Sequence, residues 1–146
     1  MAQTTTAVNG CDAVVQLDGT TGLLVDISGS SNSVDIDFDN DIGDFKTFGT
    51  KWKGRLACGK DATIKLKIVY TTTTAEAMRI LLDWFFVTNG RKTVQIDIPS
   101  SGAGGDRYSG EVVLSKFSVP APSDEPKPIL VEMELLPDGA IAWTQL

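Results

Sequence analysis

The chain has 146 residues, 42% of them hydrophobic, which is enough for one sizeable core and too few for two independent ones. Its formal charge of −6 disfavours a dedicated binder of phosphate backbones. The complete lack of histidine removes the Ser-His and Cys-His nucleophile pairs and most catalytic zinc sites.

No apolar run approaches the roughly 20 residues of a membrane span, and residues 1–9 lack the basic start and apolar stretch of a secretion signal. The expectation is a soluble single domain over residues 1–146, made in the cytoplasm. Cys11 and Cys58 then read as buried thiols rather than a bridge, the commoner state in a reducing compartment.

Residues 1–10 are small, polar and Thr-rich, the composition of a flexible N-terminal arm. Two short strands are predicted at 13–17 and 23–28, joined at the Asp18-Gly19 turn signal. From Val34 to Phe38 apolar and acidic residues alternate strictly. Val34, Ile36 and Phe38 fall on one face, and Asp35, Asp37 and Asp39 on the other.

The alternation stops over residues 40–59, where glycines, Phe45, Phe48, Trp52 and the basic Lys46, Lys51, Lys53 and Arg55 mix without period. This predicts a long loop. Residues 64–70 resume the strand pattern, with Lys65 and Lys67 on the polar side.

One helix is predicted over 75–87, opened by the capping-box spacing of Thr73 and Glu76 and stopped by Asn89-Gly90. Ala77, Ile80, Leu81, Trp84 and Phe85 form its apolar stripe; Met78 and Phe86, off its centre, broaden it toward flanking strands or a subunit contact. Further strands follow at 93–98, 110–119, 129–136 and 140–144. Gly- and Pro-rich breaks at 100–105, 120–128 and 137–139 separate them. Seven or eight short strands with one helix predict a mainly β fold, a β-sandwich or partly closed barrel with one flanking helix.

The motifs that could carry chemistry read as structural. Asp35, Asp37, Asp39 and Asp41 imitate a calcium loop, but Asn40 stands where Gly is needed and Lys46 where a bidentate Glu is needed; the row reads as a solvated strand face, or as a face that docks on a neighbour of opposite charge. Gly102, Gly104 and Gly105 lack the Lys-Ser/Thr of a phosphate loop. The segment from Lys46 to Arg55 imitates a single-strand binding surface, yet one such segment in an acidic chain fits better as a loop packing Trp52 on its own domain or on a neighbour. Glu132 and Glu134 share one strand face, whereas a glycosidase pair must face each other across a cleft. No catalytic, metal or cofactor-binding residue is predicted.

The order of these pieces resembles the tail tube (major tail) proteins of long-tailed bacteriophages and related phage-like particles. The likeness is carried by residues 24–29 leading to 33–35, Phe48-Gly49, residues 55–61, the strand 64–70 and the single helix. Residues 108–111 and 117–119, the strand 129–136, Asp138-Gly139 and Trp143 complete it.

The resemblance implies a non-catalytic virion protein without cofactors. Six copies would form a ring with a continuous inner β-barrel, and rings would stack into the hollow tail. Its partners would be further copies of itself, the tape-measure protein, tail-terminator and initiator proteins, and double-stranded DNA passing through the lumen without specific binding; no membrane is involved. Assembly would occur in the host cytoplasm.

Bridging between rings would fall to residues 1–10, to the segment 40–59, with Asp44, Phe45, Lys46, Phe48, Lys51, Trp52, Lys53 and Arg55, and to the last residues near Trp143. Asp35, Asp37, Glu132 and Glu134 are the lumen candidates, with Lys65 and Lys67 expected away from the lumen. The alternative is a carbohydrate-type binding module that stacks sugars on Trp52 or Trp143.

Overall fold

The computed structural model describes residue 8 and residues 10–49, 51–74, 76–99, 103–121 and 126–146. The expected N-terminal arm therefore lies almost wholly outside the described residues, as do Ser100, Ser101 and Gly102.

The framework is one antiparallel sheet of eight strands. Strands β1 (Val14–Asp18) and β2 (Leu24–Asp26) form the hairpin expected at Asp18-Gly19. Strands β3 (Ser31–Phe45) and β4 (Gly54–Val69) pair along their whole length. After the helix α1 (Ala77–Asp83) come β5 (Lys92–Ile98), β6 (Asp106–Ser118), β7 (Leu130–Pro137) and β8 (Ala142–Gln145). The spatial order is β2-β1-β5-β6-β7-β4-β3, and β8 pairs with the first part of β6, over Asp106 to Ser109.

Period-two alternation explains which face is covered. Ile64, Leu66 and Ile68 of β4, Val131, Met133 and Leu135 of β7, and Val94 and Ile96 of β5 are all buried on one side of the sheet. The helix lies over that side and contributes Ala77, Met78, Ile80, Leu81 and Trp84 to the same core.

The helix differs from its sequence pattern at both ends. Glu76 is the N-cap residue and makes no side-chain capping bond, so the Thr73/Glu76 box does not form. The hydroxyl of Ser30, from the turn before β3, instead accepts the Ala77 N–H at 3.3 Å. A tertiary partner thus satisfies one of the orphan N–H groups of a helix that starts later than the box predicted.

At the other end the last turn, Trp84–Thr88, widens to a π-turn closed by the Asn89 N–H on the Trp84 carbonyl at 2.6 Å. Asn89 stops it in the left-handed region at φ 43°. The wider turn rotates the apolar stripe out of phase after Asp83. Phe85 and Phe86 are therefore 43% and 71% exposed, where the 3.6-residue period predicted burial.

Two charged groups are buried with partners. The Lys92 ammonium donates to the Gly19 carbonyl at 3.2 Å and lies 5.9 Å from the centre of the Trp84 ring. Asp97 accepts from Arg107 Nε at 2.8 Å and Nη2 at 3.1 Å, tying β5 to β6. That hydrogen bond, helped by charge attraction and opposed by burial, raises the Arg107 guanidinium above its ordinary value. A raised cation stabilises the fold at every pH below its ordinary range, so this contribution is constant through neutrality and fades only in strong alkali.

Cys11 and Cys58 form no bridge and are exposed rather than buried. Cys58 is the extra residue of a β-bulge, between the pairs Asp41–Gly59 and Ile42–Ala57.

Trp84 is 1% exposed and donates its indole N–H to the Gly90 carbonyl at 2.6 Å. Trp84→Ala is expected to lower unfolding free energy by about 3–5 kcal/mol in guanidinium titrations, because it opens a cavity where helix and sheet meet.

Candidate assembly site

The four neighbouring strands β3, β4, β7 and β6 form a layer whose second face, away from the core, is polar. Register places its charges in rows. Asp35 is opposite Lys65, Lys65 is opposite Glu134, and Glu134 is opposite Lys116. The next row reads Ser33, Lys67, Glu132, Ser118. Lys116 Nζ reaches Glu134 Oε2 at 3.7 Å.

The structure thus brings Asp35, Asp37, Glu132 and Glu134 to one face, as the sequence reading grouped them. It also corrects that reading, because Lys65 and Lys67 stand between them on the same face. Register between β4 and β7 decides this, and no single strand's alternation contains it.

Lys116 reaches the polar face because β6 carries a bulge. Leu114 is opposite Leu135 and Lys116 is opposite Glu134, so Ser115 has no partner across the ladder. One extra residue exchanges the faces, turning Lys116 outward and Phe117 toward the core side opposite Met133.

Both sides of this layer have open edges among the described residues. Strand β3 pairs only with β4. Strand β6 pairs with β5 only up to Val112, which leaves residues 113–118 unpaired on that side. Unpaired N–H and C=O groups in such rows are templates for another strand. Exposed aromatics flank the β6 edge, where Phe85 packs edge-on against Phe86 and Phe117 at ring-centre distances of 5.0 and 5.2 Å.

The segment expected as a loop at 40–59 is largely a two-stranded ribbon. The pairing of β3 with β4 continues to Phe45 and Gly54, and only the turn between them is irregular. Sequence reasoning missed it because neither face of the ribbon is buried, so no apolar period marks its strands. Gly54 takes the place of a side chain, since a Cβ there would overlap the Phe45 ring.

At the ribbon's end Asp44 meets Lys53 at 3.4 Å and Arg55 at 3.6 Å. These exposed pairs contribute about 0–1 kcal/mol each. Phe48, Trp52 and Leu56 are exposed there, together with Lys46 and Lys51. Trp52 is 84% exposed rather than buried. Trp143 lies on β8 and donates its indole N–H to Asp106 Oδ1 at 3.1 Å, so the two tryptophans considered for sugar stacking sit on separate elements.

No protein-family model and no curated protein matches the sequence. Solved structures do match. A chain in the tail of an empty gene transfer agent particle, refined with C6 symmetry, aligns over 94% of this chain and 99% of its own at 21% identity and a TM-score of 0.76. A chain of the PVC sheath-tube complex of an extracellular contractile injection system aligns over 96% and 93% at 12% identity and 0.71. The SPP1 tail tube aligns over 96% and 80% at 10% identity and 0.71.

This is the tail-tube fold. The likeness extends over nearly the whole chain. In the tail-tube fold as this chain builds it, the outer ribbon pairs only with itself, whereas Ile64 to Val69 of β4 also pair with β7. Native-state hydrogen exchange is expected to show β4 amides at 64–69 protected close to the global limit. Those at 55–61 should exchange at least about tenfold faster, through local opening.

Proposed function

We propose that the protein is a tail-tube subunit. Six copies close edge to edge into a ring, and rings stack into the hollow tail through which a viral genome passes. The observation that carries this reading is the pair of open edges, β3 and distal β6, on opposite sides of one four-strand layer, in a fold shared over nearly the whole chain with the tail chains above. Joining β3 of one copy to β6 of the next uses different surfaces on the two partners. Such contacts propagate around an axis and close when the rotation permits.

The ribbon supplies contact along the axis. It projects beyond the strands that β7 covers and ends in exposed Phe48 and Trp52 with Lys46, Lys51, Lys53 and Arg55 nearby. An apolar tip ringed by cations suits docking on a neighbouring ring of an acidic protein. The N-terminal residues 1–10 would add to the same junction.

The polar face of the four-strand layer becomes the wall of the bore. It carries Asp35, Asp37, Glu132 and Glu134 against Lys65, Lys67 and Lys116. Paired charges of both signs give a wall on which a polyanion neither adheres nor meets a strong barrier. Tape-measure, terminator and initiator proteins would be the other partners, the role is structural rather than catalytic, and the location is the virion tail, assembled in the host cytoplasm.

The ribbon gives the direct test. Replacing residues 40–59 with a short Gly/Ser linker is expected to leave a folded body, seen by circular dichroism and thermal melting, that no longer forms tubes in negative-stain micrographs of concentrated protein with tail initiator. Normal tubes from that variant would overturn the assignment of the ribbon. Failure of the unaltered protein to assemble under any such condition would overturn the tube itself.

A further inference from the structure

We infer that Lys116 sets the polarity of ring closure by docking on a ladder of carboxylates, Asp35, Asp37 and Asp39, on the β3 edge of the next copy. The inference rests on the tail-tube reading and names the contact that closes the ring.

The two open edges differ in charge. On the polar face β3 carries Asp35, Asp37 and Asp39 in succession, all exposed or partly so, and distal β6 carries Lys116 with Ser118. The row Asp35, Lys65, Glu134, Lys116 therefore alternates in sign and begins and ends on opposite charges. Placing the next copy's β3 beside β6 continues the alternation across the boundary. Two β3 edges together would oppose carboxylates directly, and two β6 edges would oppose ammonium groups. Charge thus favours head-to-tail closure over a two-fold dimer of either edge.

The ladder also tolerates the geometry of closure. Strands in a closed barrel tilt, which slides the register where one copy meets the next. Only even slides keep side chains on the same face, and slides of zero, two or four residues put Lys116 opposite Asp35, Asp37 or Asp39. Each rung is a carboxylate.

The other face supports the same partner. Half-buried Val34 and Ile36 with exposed Phe38 follow the β3 edge, and Phe117 with exposed Phe85 and Phe86 follow the β6 edge. Edge pairing would close these apolar strips on one another beneath the charged contact, which accounts for an aromatic cluster that the monomer leaves in solvent.

Cysteine cross-linking tests the contact in a background where the exposed Cys11 and Cys58 are replaced by serine. Lys116→Cys is combined in turn with Asp35→Cys, Asp37→Cys or Asp39→Cys, and assembled protein is oxidised. Within one chain these positions stand three strand spacings apart, roughly 14 Å, too far for a disulfide, while directly opposed strand residues are within reach and the next rung is not.

One of the three combinations is expected to give a series of covalent oligomers on a non-reducing gel. Separately, Lys116→Glu should raise the critical concentration for assembly about tenfold or more while Lys116→Arg leaves it within about twofold. Tubes from the serine background with no covalent oligomer in any combination would sink the inference and leave the tube reading standing. A covalent dimer from Lys116→Cys alone would do the same by showing β6 against β6. No assembly from the serine background, with the unaltered protein equally inert, would remove both readings together.

Discussion

An edge strand of a β-sheet has backbone donors and acceptors on one side that only water or another strand can satisfy, and everything distinctive about this chain follows from where it leaves such edges. At one end of the sheet the problem is made small, because β2 is three residues long. At the other end β3 runs for 15 residues and is uncovered on its outer side among the described residues. The second exposed stretch, distal β6, exists because β5 stops pairing at Val112 while β6 continues to Ser118. Long uncovered strands invite indiscriminate pairing unless something restricts the partner. In the proposed assembly, carboxylates on β3 and an ammonium group on β6 supply that restriction.

Much of the fold was legible in the residues. Strict alternation at Val34–Phe38 and across 64–70, turn residues at Asp18-Gly19 and Asp138-Gly139, and one apolar helical stripe were enough for a mainly β fold with a single helix. The failures have separate physical causes. The helix cap was misassigned because the helix starts only after Glu76, and its first N–H, on Ala77, is held by Ser30, 47 positions away. Phe85 and Phe86 were placed inside because a π-turn breaks the period that predicted them. Residues 40–59 looked like a loop because a ribbon solvated on both faces has no apolar side.

The candidate site was half legible. Asp35, Asp37, Glu132 and Glu134 do share one face, since each follows from alternation within its own strand. That the lysines stand between these carboxylates could not be read, because neighbour identity depends on the pairing of β4 with β7, whose residues lie more than 60 positions apart. Lys116 was hidden by a further device. Counting by twos from buried Val112 would turn Lys116 toward the core, and only the unpaired Ser115 reverses that parity. A bulge of one residue decides which chemistry the β6 edge presents.

Parity also bears on why four strands would suit the wall of the proposed ring. Strands β3, β4, β7 and β6 are antiparallel to each neighbour in turn, so β6 runs opposite to β3. When the next copy is added by rotation about an axis along the strands, its β3 therefore arrives antiparallel to the β6 it meets. An odd number of strands in the layer would force a parallel join at every boundary, with slanted and slightly weaker hydrogen bonding. With four, the junction between copies has the same ladder pattern as the interior of one copy. The wall of the proposed ring would then have no weak seam, and the sign alternation of the charged row would cross the boundary in step with the alternation of strand direction.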